Sequence, residues 1–278
     1  MPISSTTRIA LIGGGKMGEA IMGGWIASRE APAAVLNKDN FIVANPGQSR
    51  REYLTERYGV ACVADATAIE SADIVILAVK PQVMMGVLES IASRPFAQEA
   101  LFVSIAAGLG TDRLEAALPQ HCSLVRTMPN VALLVGAGTT AVCAGAKATA
   151  EECLQVRDLF ACLGSAYVVD EGDMDAVGAL SGSGPAYVAA LVEYLRDAGV
   201  RQGLGADLAE NLALQTVYGT AQLIRETGQA PEEVRLSVCS PGGSTLAALA
   251  AMDSCNIAAA YDAGVAAAVH RNQELGAC

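Results

Sequence analysis

Histidine is nearly absent: His121 and His270 are the only two in 278 residues. They lie far apart in the chain, so a histidine-based nucleophile or metal site has little to build on. The eight cysteines, at positions 62, 122, 143, 153, 162, 239, 255 and 278, form no C-x-x-C pair and no Cys/His cluster at zinc spacing. They read as buried free thiols. Basic charge is also scarce. Eighteen Lys and Arg against 29 Asp and Glu leave a net charge of −11, with no basic stripe for nucleic acid. Small anions must therefore be held locally, by loops and helix ends. No uncharged run reads as a membrane span, and Met1-Pro2-Ile3-Ser4-Ser5-Thr6-Thr7 is no basic, apolar leader. A cytoplasmic protein is expected. After residue 169 there is no lysine at all.

What is present is apolar. At 52% hydrophobic and 17% charged, the chain is a globular protein of one large or two ordinary domains. Part of its apolar surface is expected to be covered by a partner subunit.

The stretch Arg8-Ile9-Ala10-Leu11-Ile12-Gly13-Gly14-Gly15-Lys16-Met17-Gly18 joins a β-type run to G-x-G-x-x-G through Gly13, Gly15 and Gly18. In a strand–turn–helix setting the first glycine permits the turn and the second lets a pyrophosphate approach. The third brings the helix close to the strand. Residues 19–27 have helical spacing, and Asn40-Phe41-Ile42-Val43-Ala44-Asn45-Pro46 is a second strand about thirty residues after the first, as a βαβ unit requires. Where an NAD enzyme carries an acid at the end of that strand, this chain has Ala44 and Asn45, then Arg50 and Arg51. That pattern favours NADPH, with NADH as the alternative. The two arginines serve a 2′-phosphate or simply lie exposed on the next helix.

Further apolar strands follow at residues 60–63, 72–79, 101–105, 123–130, 139–144 and 166–169. Helices are expected over 52–58, closed by Gly59, and over 83–92, 111–118 and 150–163. The exits Ala78-Val79-Lys80-Pro81-Gln82, Ala106-Ala107-Gly108 and Asn130 fall where an open α/β sheet places its cleft. The expected fold is α/β: a doubly wound, Rossmann-like parallel sheet domain over residues 1–168, followed by an all-α domain over residues 169–278. In the second half, long helices are expected over 185–199 and 207–225. Later faces rich in alanine pack helices closely and favour two interleaved chains. The segment Ser240-Pro241-Gly242-Gly243-Ser244-Thr245 precedes an apolar helical run. Its backbone N–H groups can close around a small anion, or it is an ordinary glycine-rich helix start.

Five blocks together resemble the pyrroline-5-carboxylate reductases of proline synthesis. They are Ile12-Gly13-Gly14-Gly15-Lys16-Met17-Gly18, Ala78-Val79-Lys80-Pro81-Gln82, Arg126-Thr127-Met128-Pro129-Asn130, Leu180-Ser181-Gly182-Ser183-Gly184-Pro185-Ala186-Tyr187 and Val238-Cys239-Ser240-Pro241-Gly242-Gly243-Ser244-Thr245. The resemblance implies NADPH-dependent reduction of a cyclic imine carboxylate, 1-pyrroline-5-carboxylate, to proline. It implies that residues 240–245 hold the substrate carboxylate and that Thr245 lies near the ring nitrogen. Gly13, Gly15, Lys16, Met17, Gly18, Asn45, Asp65, Ala78, Val79, Lys80, Pro81, Ala106, Ala107 and Asn130 are then the cofactor residues, with no metal. It further implies a homodimer with interleaved helical domains, with room for a higher homo-oligomer, in which one chain completes the other's site.

Three positions depart from the family pattern. Cys239 and Ser244 are small replacements that keep the loop. Asp65 stands where an asparagine commonly lies near the adenosine ribose; a carboxylate there repels a 2′-phosphate, unless it is a solvated loop acid. Two other readings compete. A 3-hydroxyacid-type dehydrogenase uses a lysine on its helical domain, and this chain has none there. A non-catalytic NADP-sensing protein has no need of an anion loop on that domain.

Overall fold

The computed structural model describes residues 3–65, 71–92 and 100–277, with Cys278 outside that range. Its core is an eight-stranded sheet made of β1 (Ile9–Ile12), β2 (Phe41–Ala44), β3 (Ala61–Val63), β4 (Ile74–Leu77), β5 (Leu101–Ser104), β6 (Ser123–Pro129), β7 (Gly138–Ala144) and β8 (Gly164–Val168). The strand order is β3-β2-β1-β4-β5-β6-β7-β8. All neighbours pair in parallel except β6 and β7, where Thr127 faces Val142 in antiparallel register. The expected doubly wound parallel sheet is present, with one antiparallel pair added at β6–β7. The reason is local. Only residues 130–137 separate these strands, too few for the crossover a parallel return needs.

Strand alternation divides the core between the two faces. Ile9, Leu11, Ile74, Ile76, Leu101 and Val103 pack on one side. Ala10, Ile12, Val75, Leu77 and Phe102 pack on the other. Helices α1 (Lys16–Ala27), α2 (Gln48–Tyr58), α3 (Pro81–Ala92), α4 (Thr111–Ala116) and α5 (Ala150–Ala161) connect the strands. Trp25 of α1 is sealed inside, with its indole N–H donating to the Leu159 carbonyl at 2.7 Å. Its ring meets Phe160 edge-on. Helix α2 stops at Gly59, whose φ of 69° is left-handed. Helix α5 opens on a capping box between Thr149 and Glu152.

Beyond β8 the chain is helical. It runs through α6 (Met174–Val177), a π turn over Gly178–Gly182, α7 (Gly184–Arg201), α8 (Ala206–Thr227), α9 (Pro231–Ser237), α10 (Ser244–Ser254) and α11 (Ile257–Ala277). Two compact units result. One holds the chain up to Ser183 together with the segment from Ala268 onward; the other is Gly184–Ala267. The C-terminal segment belongs to the first unit because Asn272 donates to the Asp175 carbonyl at 2.9 Å. In the second unit α7 packs along α8. Only Ala209, Ala213 and Val234 are fully buried among its apolar residues, while Tyr194 and Tyr218 are 68% and 61% exposed. A unit this poor in core has apolar surface left to cover.

The seven cysteines among the described residues are all free, and Cys122, Cys143 and Cys153 are buried. Burial pushes the Cys122 and Cys143 thiols up to about 11 and about 12, which keeps them protonated and inert.

Candidate functional site

The glycine loop is built by three different constraints. Gly13 has φ +103°, and a Cβ there would lie 2.6 Å from the Ala78 carbonyl oxygen. Only glycine fits. The loop is held at this point by the Gly13 N–H donating to the Ala44 carbonyl at 2.9 Å and the Ala78 N–H donating to Ile12 at 2.8 Å. Gly18 brings α1 against the turn, since a Cβ there would sit 2.5 Å from the Gly13 carbonyl oxygen. Gly15 differs from both. It caps α1 in an extended conformation, and a Cβ there meets nothing within 4 Å.

The open side of Gly15 faces a cavity of about 620 Å³ at the carboxyl ends of β1, β2 and β4. Of the residues expected from sequence, Gly13, Gly15, Asn45, Asp65, Ala78, Val79 and Lys80 line it together. Apolar support comes from Val83 and Val87 of α3. Asn45 joins the end of β2 to the loop, its side-chain oxygen accepting from the Gly14 N–H at 3.2 Å. This cleft fits a dinucleotide: an open glycine amide edge, the start of a twelve-residue helix and an acid-free end of β2.

The remaining expected cofactor residues are not part of this lining. Lys16 faces a separate groove along α1 with Gly23 and Leu134. Met17 packs on the core beneath α1, and Gly18 is buried against the turn. Pro81 starts α3. Ala106 is buried in the core and Ala107 is half-buried beside it. Asn130 is committed to the backbone. Its Oδ1 accepts from the Ala132 and Thr139 N–H groups at 3.2 and 3.1 Å, and its Nδ2 donates to the Ser181 carbonyl at 3.0 Å. It caps a 3-10 turn, a role that Asn ahead of a helical turn commonly takes.

The second unit carries residues 240–245. Gly242 has φ +70°, and the Gly243 N–H donates to the Ser240 carbonyl at 2.9 Å. A Cβ on Gly243 would lie 2.4 Å from the Ser240 hydroxyl. The loop therefore curls tightly into α10, where Ser244 and Thr245 occupy the first turn. Their N–H groups have no carbonyl four residues back to donate to. No side chain caps this end, Ser244 is exposed and Thr245 is half-buried. Free amides, a favourable dipole and two hydroxyls suit a carboxylate.

One cluster beside the glycine loop was not foreseen. Glu19, in the first turn of α1, accepts from the Tyr53 and Tyr58 hydroxyls at 3.1 and 3.0 Å and pairs with Arg50. Burial raises its carboxyl, but the hydrogen bonds from Arg50, Tyr58 and Tyr53 outweigh burial and hold it below the usual range. The only sequence signal was an acid one position after the glycine motif. Among the described residues, no cluster of His, Cys, Asp or Glu can hold a metal, and no helix is long and apolar enough to cross a membrane.

Comparison with known proteins covers nearly the whole chain. Residues 171–275 match the model for pyrroline-5-carboxylate reductase dimerisation. Residues 8–108 match that for NADP oxidoreductase, coenzyme F420-dependent. A pyrroline-5-carboxylate reductase of Synechocystis is 41% identical over 97% of this chain and 98% of its own. That of Escherichia coli is 36% identical over 96% and 98%. Among solved structures, a pyrroline-5-carboxylate reductase from Coxiella burnetii superposes with a TM-score of 0.87 at 33% identity, covering 97% of this chain and 98% of that one. A Plasmodium falciparum pyrroline carboxylate reductase with NADP bound gives a TM-score of 0.83 at 28% identity over 98% and 99%.

Proposed function

The chain belongs to the pyrroline-5-carboxylate reductase family, and from that premise we propose that it reduces the ring C=N of 1-pyrroline-5-carboxylate with NADPH to give proline. Full-length likeness carries this reading, since both the glycine loop and the loop at residues 240–245 fall within the aligned span. When bound, the nicotinamide supplies the hydride. The protein's share is to hold, orient and exclude water. The loop at residues 240–245 takes the substrate carboxylate on its backbone amides, with Thr245 hydrogen-bonded to the ring nitrogen. The adjacent ring carbon gains the hydride, the C=N π pair moves onto the nitrogen, and that nitrogen takes one proton from solvent. No nucleophilic side chain is needed, in keeping with a chain of two histidines in which burial keeps the Cys122 and Cys143 thiols protonated.

Residues 169–278 then form the dimerisation and substrate-binding module, whose exposed apolar helices interleave with those of a second copy. Sedimentation velocity is expected to give a particle of twice the chain mass or a multiple of it; a monomer at micromolar concentration would remove the interleaved arrangement. The seven free cysteines among the described residues suit the reducing conditions of the cytoplasm.

NADPH oxidation, followed with and without the cyclic imine, tests the reaction, and proline must appear in step with it. The same assay addresses the cofactor. Asp65 lines the cleft together with Asn45, where its charge opposes a 2′-phosphate. Asp65→Asn is expected to raise kcat/KM for NADPH by about three- to tenfold, as removal of a repulsion of about 1 kcal/mol predicts, while NADH is little affected. A parallel rise with NADH would place Asp65 away from the ribose, and a strong wild-type preference for NADH would overturn the choice of NADPH.

A further inference from the structure

Arg50 sits in the first turn of α2, where the sequence invites it to bind a 2′-phosphate. Its side chain is already occupied. Nε donates to the Gly14 carbonyl at 2.5 Å, Nη2 pairs with the Glu19 carboxylate, and the guanidinium lies 4.9 Å from the centre of the Tyr53 ring. Glu19 is in turn fixed by the Tyr53 and Tyr58 hydroxyls. Glu19 and Arg50 are 16% and 29% exposed, so the pair is partly shielded and each charge answers the other. Little positive charge is left over for a phosphate. Arg51 is similarly engaged, its Nη1 donating to the Asn45 and Pro46 carbonyls at 2.8 and 2.7 Å.

The bond to Gly14 has a geometric consequence. Among the described residues the only cis peptide is Ala31-Pro32, so the Gly14–Gly15 peptide is trans. In a trans peptide the N–H of the second residue points opposite to the C=O of the first. Arg50 pins the Gly14 carbonyl toward α2, and the Gly15 N–H is thereby turned the other way. Gly15 lines the cleft with open space around its Cα. Glu19 closes the frame from the other side, since its own N–H donates to the Gly15 carbonyl at 2.9 Å.

We propose that Arg50, held by Glu19, is a positioning residue that sets the Gly15 amide toward the cofactor pyrophosphate and takes no part in telling NADPH from NADH. The inference rests on the reductase reading above, and equilibrium binding separates the two. With the full-length protein, nicotinamide fluorescence titrations give Kd for NADPH and for NADH independently of turnover. Arg50→Gln is expected to weaken both cofactors by the same factor, about five- to tenfold for loss of one charge-assisted hydrogen bond, while kcat at saturating NADPH stays within about twofold. A purely structural role would lower the fraction of binding-competent protein and leave Kd unmoved.

Glu19→Gln keeps the size but removes the charge and leaves a single oxygen to accept, and is expected to weaken both cofactors equally by a smaller factor. It also decides the matter if Arg50→Gln does not fold. A change confined to NADPH in either variant, or unchanged binding of both cofactors in Arg50→Gln, overturns the proposal. Wild-type protein that binds NADPH but leaves 1-pyrroline-5-carboxylate unreduced would count against the reaction and not against this placement of Arg50.

Discussion

Gly15→Val is expected to fold almost as well as the wild type and to lose NADPH. The site is open: a Cβ at Gly15 meets nothing within 4 Å, and its extended conformation suits any residue. Losing a tolerated cap costs roughly 0.5–1 kcal/mol, a fall in Tm of no more than about 4 °C for a unit of this size. The valine methyls would instead fill the space where a pyrophosphate must approach the backbone, so NADPH affinity should drop by about 100-fold or more, close to 3 kcal/mol. Gly13→Ala should behave in the opposite sense. There φ is +103° and the new Cβ would lie 2.6 Å from the Ala78 carbonyl oxygen, so strain and overlap together cost roughly 3 kcal/mol or more. Its Tm should fall by roughly 10 °C. Thermal melts paired with NADPH titrations check both variants. Wild-type affinity in Gly15→Val would move the pyrophosphate off this loop.

The contrast between two glycines of one motif shows what a pattern can carry. The G-x-G-x-x-G spacing located the loop because each glycine answers a backbone constraint that is short-range in the chain. The strands were legible for the same reason: Ile74-Val75-Ile76-Leu77 is buried on both faces of the sheet, and a continuous apolar run is what that burial requires. The direction of β7 was also within reach, since residues 130–137 cannot make a crossover, but periodicity alone is blind to direction. The contacts of Arg50 were illegible for a different reason. Its two partners, Gly14 and Glu19, are 36 and 31 residues away in sequence, and nothing in the local pattern of α2 encodes them. Asn130 lies between these cases. Its position at a strand exit suggested a ligand contact, whereas its amide is spent on Ala132, Thr139 and Ser181. Strand exits must also turn the chain, and an asparagine is well suited to that work. The π turn over Gly178–Gly182 had no periodic signature at all. Its close packing on Met128 is visible only in three dimensions, where a Cβ at Gly182 would lie 2.7 Å from Met128 Cε.

Thr245→Ala is expected to lower kcat/KM for the imine by about 10- to 100-fold with NADPH affinity unchanged. The magnitude follows from what would be lost. A hydrogen bond to a charged group contributes about 1.5–3 kcal/mol, and as hydride reaches the neighbouring carbon the C=N electron pair moves onto the ring nitrogen, which accepts the Thr245 hydroxyl's hydrogen bond more strongly. An interaction that strengthens along that path favours the transition state over the bound substrate, so kcat should fall along with kcat/KM. The fold should be indifferent to the change. Thr245 is half-buried in the first turn of α10, and alanine is the better helix former. The loop at residues 240–245 is also spared, because its tight curl comes from Gly242, Gly243 and Ser240 rather than from the threonine side chain. Two further substitutions separate chemistry from packing. Thr245→Ser keeps the hydroxyl and should retain most of the activity. Thr245→Val keeps the shape without the hydroxyl and should be as impaired as alanine. If valine were as active as the wild type, the hydroxyl would have no part in the reaction, and orientation by the loop amides would have to account for the whole of the substrate's placement.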